Sequence, residues 1–324
     1  MSTATEELLE PIAAELQEFE RRLHESIAAD LGPMASAMEL IVRAGGKRLR
    51  PALVILSSRL GEAKQDFVFD LAMGIEFIHT ATLVHDDLID SSPTRRGITT
   101  IHEQFGPNPA IIIGDYYFAK GANLLAAIGE PRIDAAISNA VMTICMGELL
   151  QMTSRNDYDQ SLDDYYRKIG RKTATLVSTC CYCGGVLSGL GDDDVEALRR
   201  YGYELGMAFQ IADDVLDYIA SSDEVGKPVG ADLRQGTVTL PLMLALEDPQ
   251  TAPRLRAVLD QRSLSDSDYD IVVNLVRGSV AIEDAEQHAN DFGSRARAEL
   301  AHFDDSVARQ ALARICDYVV ERRM

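Results

Sequence analysis

Residues 66–90 read DFVFDLAMGIEFIHTATLVHDDLID, a long and mostly apolar run that closes on Asp86, Asp87 and Asp90. It reads as one helix, broken by Ser91-Ser92-Pro93. A second run, from Asp194 to Ala220, leads through QIADDVLD at 210–217 and carries Asp213, Asp214 and Asp217 in the same Asp-Asp-x-x-Asp pattern. On a helix, positions i, i+1 and i+4 project to neighbouring directions. Three carboxylates on one turn repel each other, and here Leu, Ile and Val stand among them. One such cluster reads equally well as a solvated acidic face. Two copies point instead to hard cations, and oxygen-only ligands suit Mg²⁺.

The surrounding runs also read as helices. Glu6–Ala29 has apolar residues at helical spacing. Met34–Val42 repeats the pattern and stops at Gly45-Gly46, a helix-ending pair, and Pro51 suits the first turn of the next helix. Further helices are expected over Ala110–Ala127, Ile133–Thr153 and Leu162–Leu190. Candidate strands are scarce, and no Gly/Pro/Ser-rich linker divides the chain. The expected fold is therefore all-α. It is one large helical bundle over 1–324, with an N-terminal helix within 1–30 and the informative motifs within 45–241. The two aspartate-ending helices form a faint internal repeat, which would let their carboxylates converge at one end of the bundle.

Composition narrows the function. The 324 residues carry a formal net charge of -20, and 46% are hydrophobic. This argues against nucleic acid as a partner and against charge-driven binding to anionic lipid. Met1–Glu20 holds six Glu and no Lys or Arg, unlike a secretory signal. The region from Ala110 to Gly129 is interrupted by Asp115 and Lys120, so no transmembrane segment is expected. Five cysteines lack zinc-ligand spacing, and Cys180, Cys181 and Cys183 read as small buried thiols in a reducing compartment. A cytoplasmic location follows as the expectation.

Basic residues accompany the acids. Ala44 to Pro51 places Lys47, Arg48 and Arg50 in a glycine-opened turn before a helix, where backbone N–H groups attract anions. Lys47 and Arg50 there could clamp a diphosphate. Arg95 and Arg96 follow the first cluster, Arg171-Lys172-Thr173 lies between helical runs, and Lys227 follows the second cluster. His79 lies two turns before Asp86, either as a core residue or as a phosphate donor.

Together these residues resemble the trans-prenyltransferases, the polyprenyl diphosphate synthase family. The shared elements are GGKRLRP at 45–51, His79 through Asp90, Arg95-Arg96-Gly97, Gly114-Asp115 and Arg171-Lys172-Thr173. They continue with Gln210 through Asp217, Gly226-Lys227-Pro228 and Thr239-Leu240-Pro241. The resemblance implies a bundle around a deep apolar cavity and head-to-tail condensation of isopentenyl diphosphate with an allylic diphosphate. It implies Mg²⁺, as three ions bridged by substrate diphosphate, held chiefly by Asp86, Asp90 and Asp213, with Asp87, Asp214 and Asp217 in support. Arg95, Lys172, Thr173, Gln210 and Lys227 would hold the allylic diphosphate. Lys47, Arg50, His79 and Arg96 would hold isopentenyl diphosphate. The family is usually dimeric, so a homodimer is expected, with a small unrelated second subunit as the alternative.

Two features bear on the product. An aromatic residue four or five positions before Asp86 would floor the cavity, but Ala81 and Thr82 stand there, with Ile78 and Ile75 further along the helix. The first aspartate motif also lacks a two-residue insertion. Both favour a long product, hexaprenyl to nonaprenyl, and heptaprenyl best. Many members carry a lysine before Thr-Leu-Pro; in DLRQGTVTLP at 232–241 that position is Thr237. Either the loop closes less tightly over the allylic diphosphate or Arg234 compensates. Heptaprenyl-type synthases of bacterial menaquinone pathways often lack this lysine too. The alternatives are a geranylgeranyl or farnesyl diphosphate synthase, a terpene cyclase or head-to-head synthase on the same fold, and a non-catalytic partner subunit. The last is disfavoured by two intact motifs.

Overall fold

A computed structural model describes residues 7–30, 32, 36, 37, 39, 40, 46–95, 97–220 and 229–321. The described residues are almost entirely helical, with one two-residue hairpin as their only sheet. The chain packs as two compact units. One comprises Met1–Ala140, Val177–Gly202 and Glu299–Ile315; the other comprises Val141–Leu176, Tyr203–Ala298 and Cys316–Met324.

In the first unit, α1 (Ala13–Ala28) buries Leu16, Phe19, Leu23 and Ile27, an apolar stripe at spacings of three and four. Helix α2 (Leu49–Ser58) starts after Arg48, whose φ of 50° turns the chain, and is buried from Pro51 to Ser58. Pro51 falls in the first turn, where its missing N–H leaves no hydrogen bond unmade. Helix α3 (Gln65–Ile89) is buried on all sides, as its continuous hydrophobicity requires. A hairpin, β1 (Thr94–Arg95) and β2 (Ile98–Thr99), leads through α4 (Ile101–Phe105) to α5 (Pro107–Ile128).

Helices α3 and α5 form one antiparallel seam. His85 lies over Gly114, Ile78 over Gly121, and Leu125 over Gly74. The positions advance by four and seven on α3 and recede by four and seven on α5, so a single face of each helix makes the contact. Glycine is required there: a Cβ on Gly121 would lie 2.6 Å from the Gly74 carbonyl oxygen. The end of α1 is tied to the same pair. Asp30 accepts hydrogen bonds from Tyr116 (2.5 Å), Tyr117 (3.1 Å) and Lys120 (2.6 Å), and Tyr117 stacks on Phe77 of α3.

Helix α6 (Pro131–Thr153) leads into the second unit, where α7 (Leu162–Ile169) is capped by Ser161. The continuous helix expected over Leu162–Leu190 is interrupted. Residues Gly170–Ala174 form a single π-helical turn between α7 and α8 (Thr175–Leu187), and Arg171, Lys172 and Thr173 lie on it. Helix α9 (Asp192–Ile219) carries the second aspartate cluster. Then follow α10 (Ala231–Arg234), α11 (Leu240–Glu247), α12 (Ala252–Leu259), α13 (Asp266–Arg277), α14 (Ala281–Glu299) and α15 (Val307–Val320). Cys180, Cys181 and Cys183 are fully buried free thiols on α8, and burial pushes Cys180 up to about 12.

The expectation about membrane spans needs one correction. The region 110–129 is not the most span-like, but α3 and α6 are each long and apolar enough to cross a membrane. The apolar window of α3 is 72% buried inside the protein, as a core helix should be, whereas that of α6 is 28% buried.

The seam makes a prediction. Gly121→Ala must separate α3 from α5, and overpacking of this kind costs about 1–3 kcal/mol. Thermal or urea unfolding should show that loss; an unchanged midpoint would mean that the two helices do not approach as closely as described.

Candidate active site

The first aspartate cluster ends α3. Asp86 and Asp90 are half-buried, one turn apart, while Asp87 is buried with 7% exposure. The hairpin brings Arg95 back onto Asp87: its Nε donates to both carboxylate oxygens at 2.9 Å, and Nη2 lies 2.8 Å from Oδ1. The turn is built by Ser91 (φ 50°) and Gly97 (φ 76°), and the Ser92 N–H donates to the Asp87 carbonyl. A small cleft opens beside this pair, lined by Leu40, Leu83, Val84, Asp87, Arg95 and Ile98 to Ile101.

Around the start of α2, Arg50 and His79 meet as the sequence suggested, with Nη1 2.9 Å from Nε2. Arginine has no acceptor, so this contact holds a neutral imidazole accepting at Nε2. The Arg50 Nε is buried with no hydrogen-bond partner, a donor suited to an incoming anion. Lys47 is exposed one turn away. Arg48 is different: it pairs with Glu20 and with the buried Glu76 of α3, at 2.7 Å, and so holds the turn in place. Arg96 and Lys227, together with Gly45, Gly226 and Pro228, lie outside the described residues.

The second cluster forms a buried network within its own unit. Thr173 donates to Gln210 Oε1 (2.7 Å), Gln210 donates to Asp214 Oδ1 (2.8 Å), and Tyr165 donates to Asp214 Oδ2 (2.7 Å). Asp214 is 2% exposed. Asp213 and Asp217 are half-buried, again one turn apart. Both oxygens of Asp217 accept backbone N–H groups, from Ala231 (3.1 Å) and Asp232 (3.2 Å) at the start of α10. Lys172 pairs with Glu148 at 2.6 Å, and the other Glu148 oxygen is buried without a hydrogen-bond partner. Gly147 lets α6 approach the backbone of the π turn, since a Cβ there would lie 2.9 Å from the Lys172 backbone nitrogen.

Three participants were missed in the sequence: Glu148, Tyr165 and Lys168. Glu148 carried a readable signal, an acid in the apolar run that forms α6. Arg234, offered as a substitute for the absent lysine at 237, is engaged elsewhere: it pairs with Asp266 (2.8 Å) and Asp270 (2.6 Å) and lies over the Tyr269 ring. Of the positions that would set cavity depth, Ala81 and Ile78 are buried, and Thr82 is half-buried with its hydroxyl on the His79 carbonyl.

Among the described residues, no three His, Cys, Asp or Glu side chains already form a metal cage. The donor set still fits Mg²⁺, which is typically held by one or two carboxylates with substrate phosphates and water completing the shell. Asp86 with Asp90, and Asp213 with Asp217, each offer such a pair at i,i+4.

Burial, and then the facing Asp232, push the Asp214 carboxyl up to about 8, against the opposing hydrogen bonds of Tyr165 and Gln210. An acid weaker folded than unfolded keeps its proton longer in the folded state. Its effect on stability is absent below the ordinary carboxylate range and increasingly unfavourable as pH rises to about 8. Asp214→Asn should therefore raise the Tm of metal-free protein by a few degrees above that pH and hardly change it in mild acid. Equal shifts at both ends would show that Asp214 is charged throughout.

Comparison with known proteins places this geometry. The polyprenyl synthetase family model matches residues 33–276. The chain is 35% identical to heptaprenyl diphosphate synthase component 2 of Geobacillus stearothermophilus, over 84% of each chain. It is also 35% identical to octaprenyl diphosphate synthase of Escherichia coli, over 87% of this chain and 88% of that one. Among solved structures, the polyprenyl synthase of Caulobacter crescentus, complexed with calcium and isoprenyl diphosphate, superposes with a TM-score of 0.92. Its identity is 34%, covering 99% of this chain and 98% of the other. The chain belongs to the polyprenyl synthetase family.

Proposed function

We propose that this chain is a Mg²⁺-dependent trans-prenyltransferase. It extends farnesyl or geranylgeranyl diphosphate with isopentenyl diphosphate to an all-trans product of hexaprenyl to nonaprenyl length, with heptaprenyl favoured. The observation that carries this reading is that Arg95 pairs with Asp87 of the first motif, while Thr173, next to Lys172, is linked through Gln210 to Asp214 of the second. Relatives named for heptaprenyl and octaprenyl products support the length.

Arg95, Lys172, Thr173, Gln210 and Lys227 take the allylic diphosphate. Lys47, Arg50, His79 and Arg96 take isopentenyl diphosphate, and the unpartnered Arg50 Nε gives that group a ready donor. Asp86, Asp87, Asp90, Asp213, Asp214 and Asp217 would hold Mg²⁺, three ions in this reading, and the metal would supply the charge neutralisation that makes diphosphate a leaving group. Arg95 and Lys172 stabilise the negative charge that grows as the allylic C–O bond breaks. The isopentenyl double bond attacks the allylic carbon, a new C–C bond forms, and a proton leaves, with released diphosphate as its acceptor. The apolar residues around Ala81 keep water from the cation. The whole chain acts as one catalytic domain.

We further propose a homodimer in the cytoplasm. Helix α6 exposes Met142, Met146, Leu149 and Met152 at spacings of four and three, a stripe that water does not favour. A two-component enzyme is the second reading, favoured by the Geobacillus relative's designation as component 2.

Purified chain supplied with labelled isopentenyl diphosphate, farnesyl diphosphate and Mg²⁺ should give a ladder of alcohols ending at one long polyprenol. Absence of elongation would sink the self-sufficient reading and favour the two-component one. Lys172→Ala should lower turnover by about 10²-fold, the size typical of a lost charge-stabilising donor. Ala81→Phe should shorten the final product; unchanged length would remove Ala81 from the cavity wall. Met146→Glu with Leu149→Glu should give monomers in sedimentation, and an unchanged sedimentation coefficient would exclude this face of α6.

A further inference from the structure

Lys168, in the last turn of α7, is 5% exposed. Lysine is rarely buried without a partner, because its ammonium loses hydration. Among the described residues, no carboxylate comes within ion-pair distance of it. Its Nζ instead donates to the Val238 carbonyl at 3.1 Å and, at 3.4 Å, to Gln160 Oε1. Gln160 Nε2 donates to the same carbonyl at 2.8 Å, so two donors fill its two acceptor positions.

Val238 closes the segment that runs from the second aspartate motif to α11. The near end is held by Asp217, whose backbone carbonyl accepts the Gly230 N–H and whose carboxylate accepts Ala231 and Asp232. Midway, the Gly236 carbonyl accepts the Asn156 N–H at 2.8 Å. The far end is held by Lys168 and Gln160. A segment anchored at one end by a motif aspartate is thus anchored at the other by a buried cation.

The charges around Lys168 suggest why a cation is kept there. Burial pulls its pKa down, while Asp214, Asp232 and Asp157 hold it up and Lys172 opposes them. Lys172 is committed to Glu148 and Arg234 to Asp266 and Asp270. Thr237, one residue from Val238, is half-buried and uncharged. Among the described residues of this unit, Lys168 is a buried cation whose charge acts on Asp214 and Asp232 without being consumed by an ion pair.

We infer that Lys168 is a positioning residue for the allylic half-site: its buried ammonium fixes the 229–239 segment and offsets the negative charge of Asp232, and that of Asp214 once it ionises. This rests on the prenyltransferase reading. Gln160 shares the Val238 carbonyl with Lys168 but carries no charge. The role is distinct from that of Arg50 and His79, which belong to the other unit and to the other substrate.

The test uses Lys168→Met and Lys168→Gln, each with and without Thr237→Lys. Amide exchange over 229–239 is measured with the Michaelis constants for farnesyl and isopentenyl diphosphate. In Lys168→Met, exchange at 238–239 should accelerate and the farnesyl diphosphate KM should rise by about tenfold or more, the size of a lost charged hydrogen bond. The isopentenyl diphosphate KM should stay within about twofold. Lys168→Gln should keep slow exchange but not the farnesyl diphosphate KM, and Thr237→Lys should recover that KM in both backgrounds. Wild-type behaviour of Lys168→Met, an equal rise in both KM values, or no recovery with Thr237→Lys overturns the inference. Should Lys168→Met fail to fold, Lys168→Gln decides through its KM. If the wild-type chain does not elongate on its own, the self-sufficient reading fails, and exchange in Lys168→Met then decides whether Lys168 anchors the segment.

Discussion

Buried carboxylates govern this structure. Glu76, Asp87, Glu148 and Asp214 are each less than a tenth exposed, and leaving any one charged and unanswered would cost several kcal/mol. Each is answered differently. Arg48 meets Glu76, Arg95 meets Asp87, Lys172 meets Glu148, and Tyr165 with Gln210 meets Asp214. Arg95 and Lys172, two of the site's cations, are therefore already committed. A diphosphate that takes Arg95 strands Asp87 unless a metal ion takes that carboxylate at the same time. On the proposed function, metal and diphosphate would gain more together than separately, which is positive coupling between two ligands through one ion pair. The same condition favours chemistry only with both present, because the developing charge on the leaving group needs both.

The helices that carry these acids are placed by packing rather than by polar contacts. A helix hydrophobic on every face must be enclosed, and α3 is enclosed on one side by α5 through Gly74, Gly114 and Gly121. Close approach at glycines fixes the register, because a slip of one residue would bring side chains onto backbone oxygen. That register sets His85 over Gly114 and leaves the far end of α3 free to present Asp86 and Asp90. Farther along, Phe77, Tyr117, Lys120 and Asp30 form a satisfied polar cluster that locks the N-terminal helix to the same seam. The first unit thus gains rigidity from a dry contact and orientation from one buried carboxylate.

Much of this was readable in the sequence. The long helices, both aspartate clusters and the buried thiols of α8 follow from periodicity and residue chemistry, while the grouping of Arg50 with His79 came from the family resemblance. The π turn at 170–174 was not legible, since its extra residue leaves the apolar pattern almost unchanged. It nevertheless decides where Lys172 and Thr173 point. The partner of Asp87 was hidden because Arg95 returns through a hairpin, and hairpin registry depends on Ser91 and Gly97 adopting positive φ. Asp217 as a cap for α10 was equally hidden, because capping across a loop has no fixed spacing. The division into two compact units left no trace in composition, as the chain passes between them within helices rather than through linkers.

Thr237 shows why a missing charge must be judged in three dimensions. Along the chain, Arg234 is the nearest candidate to replace it, only three residues away. In space Arg234 lies with Asp266 and Asp270, on solvent-exposed carboxylates that can hold it at little desolvation cost. Lys168 is nearly seventy residues distant, yet its ammonium reaches the carbonyl next to Thr237. A cation on a helix also differs physically from one on a loop. The loop cation is ordered only when the loop closes, so ligand binding bears the entropy of ordering it. A cation fixed in the last turn of α7 is ordered before the substrate arrives, and the loop is drawn to it through its backbone. Charge carried by a helix rather than by a loop keeps the electrostatic contribution and lowers the conformational cost of using it.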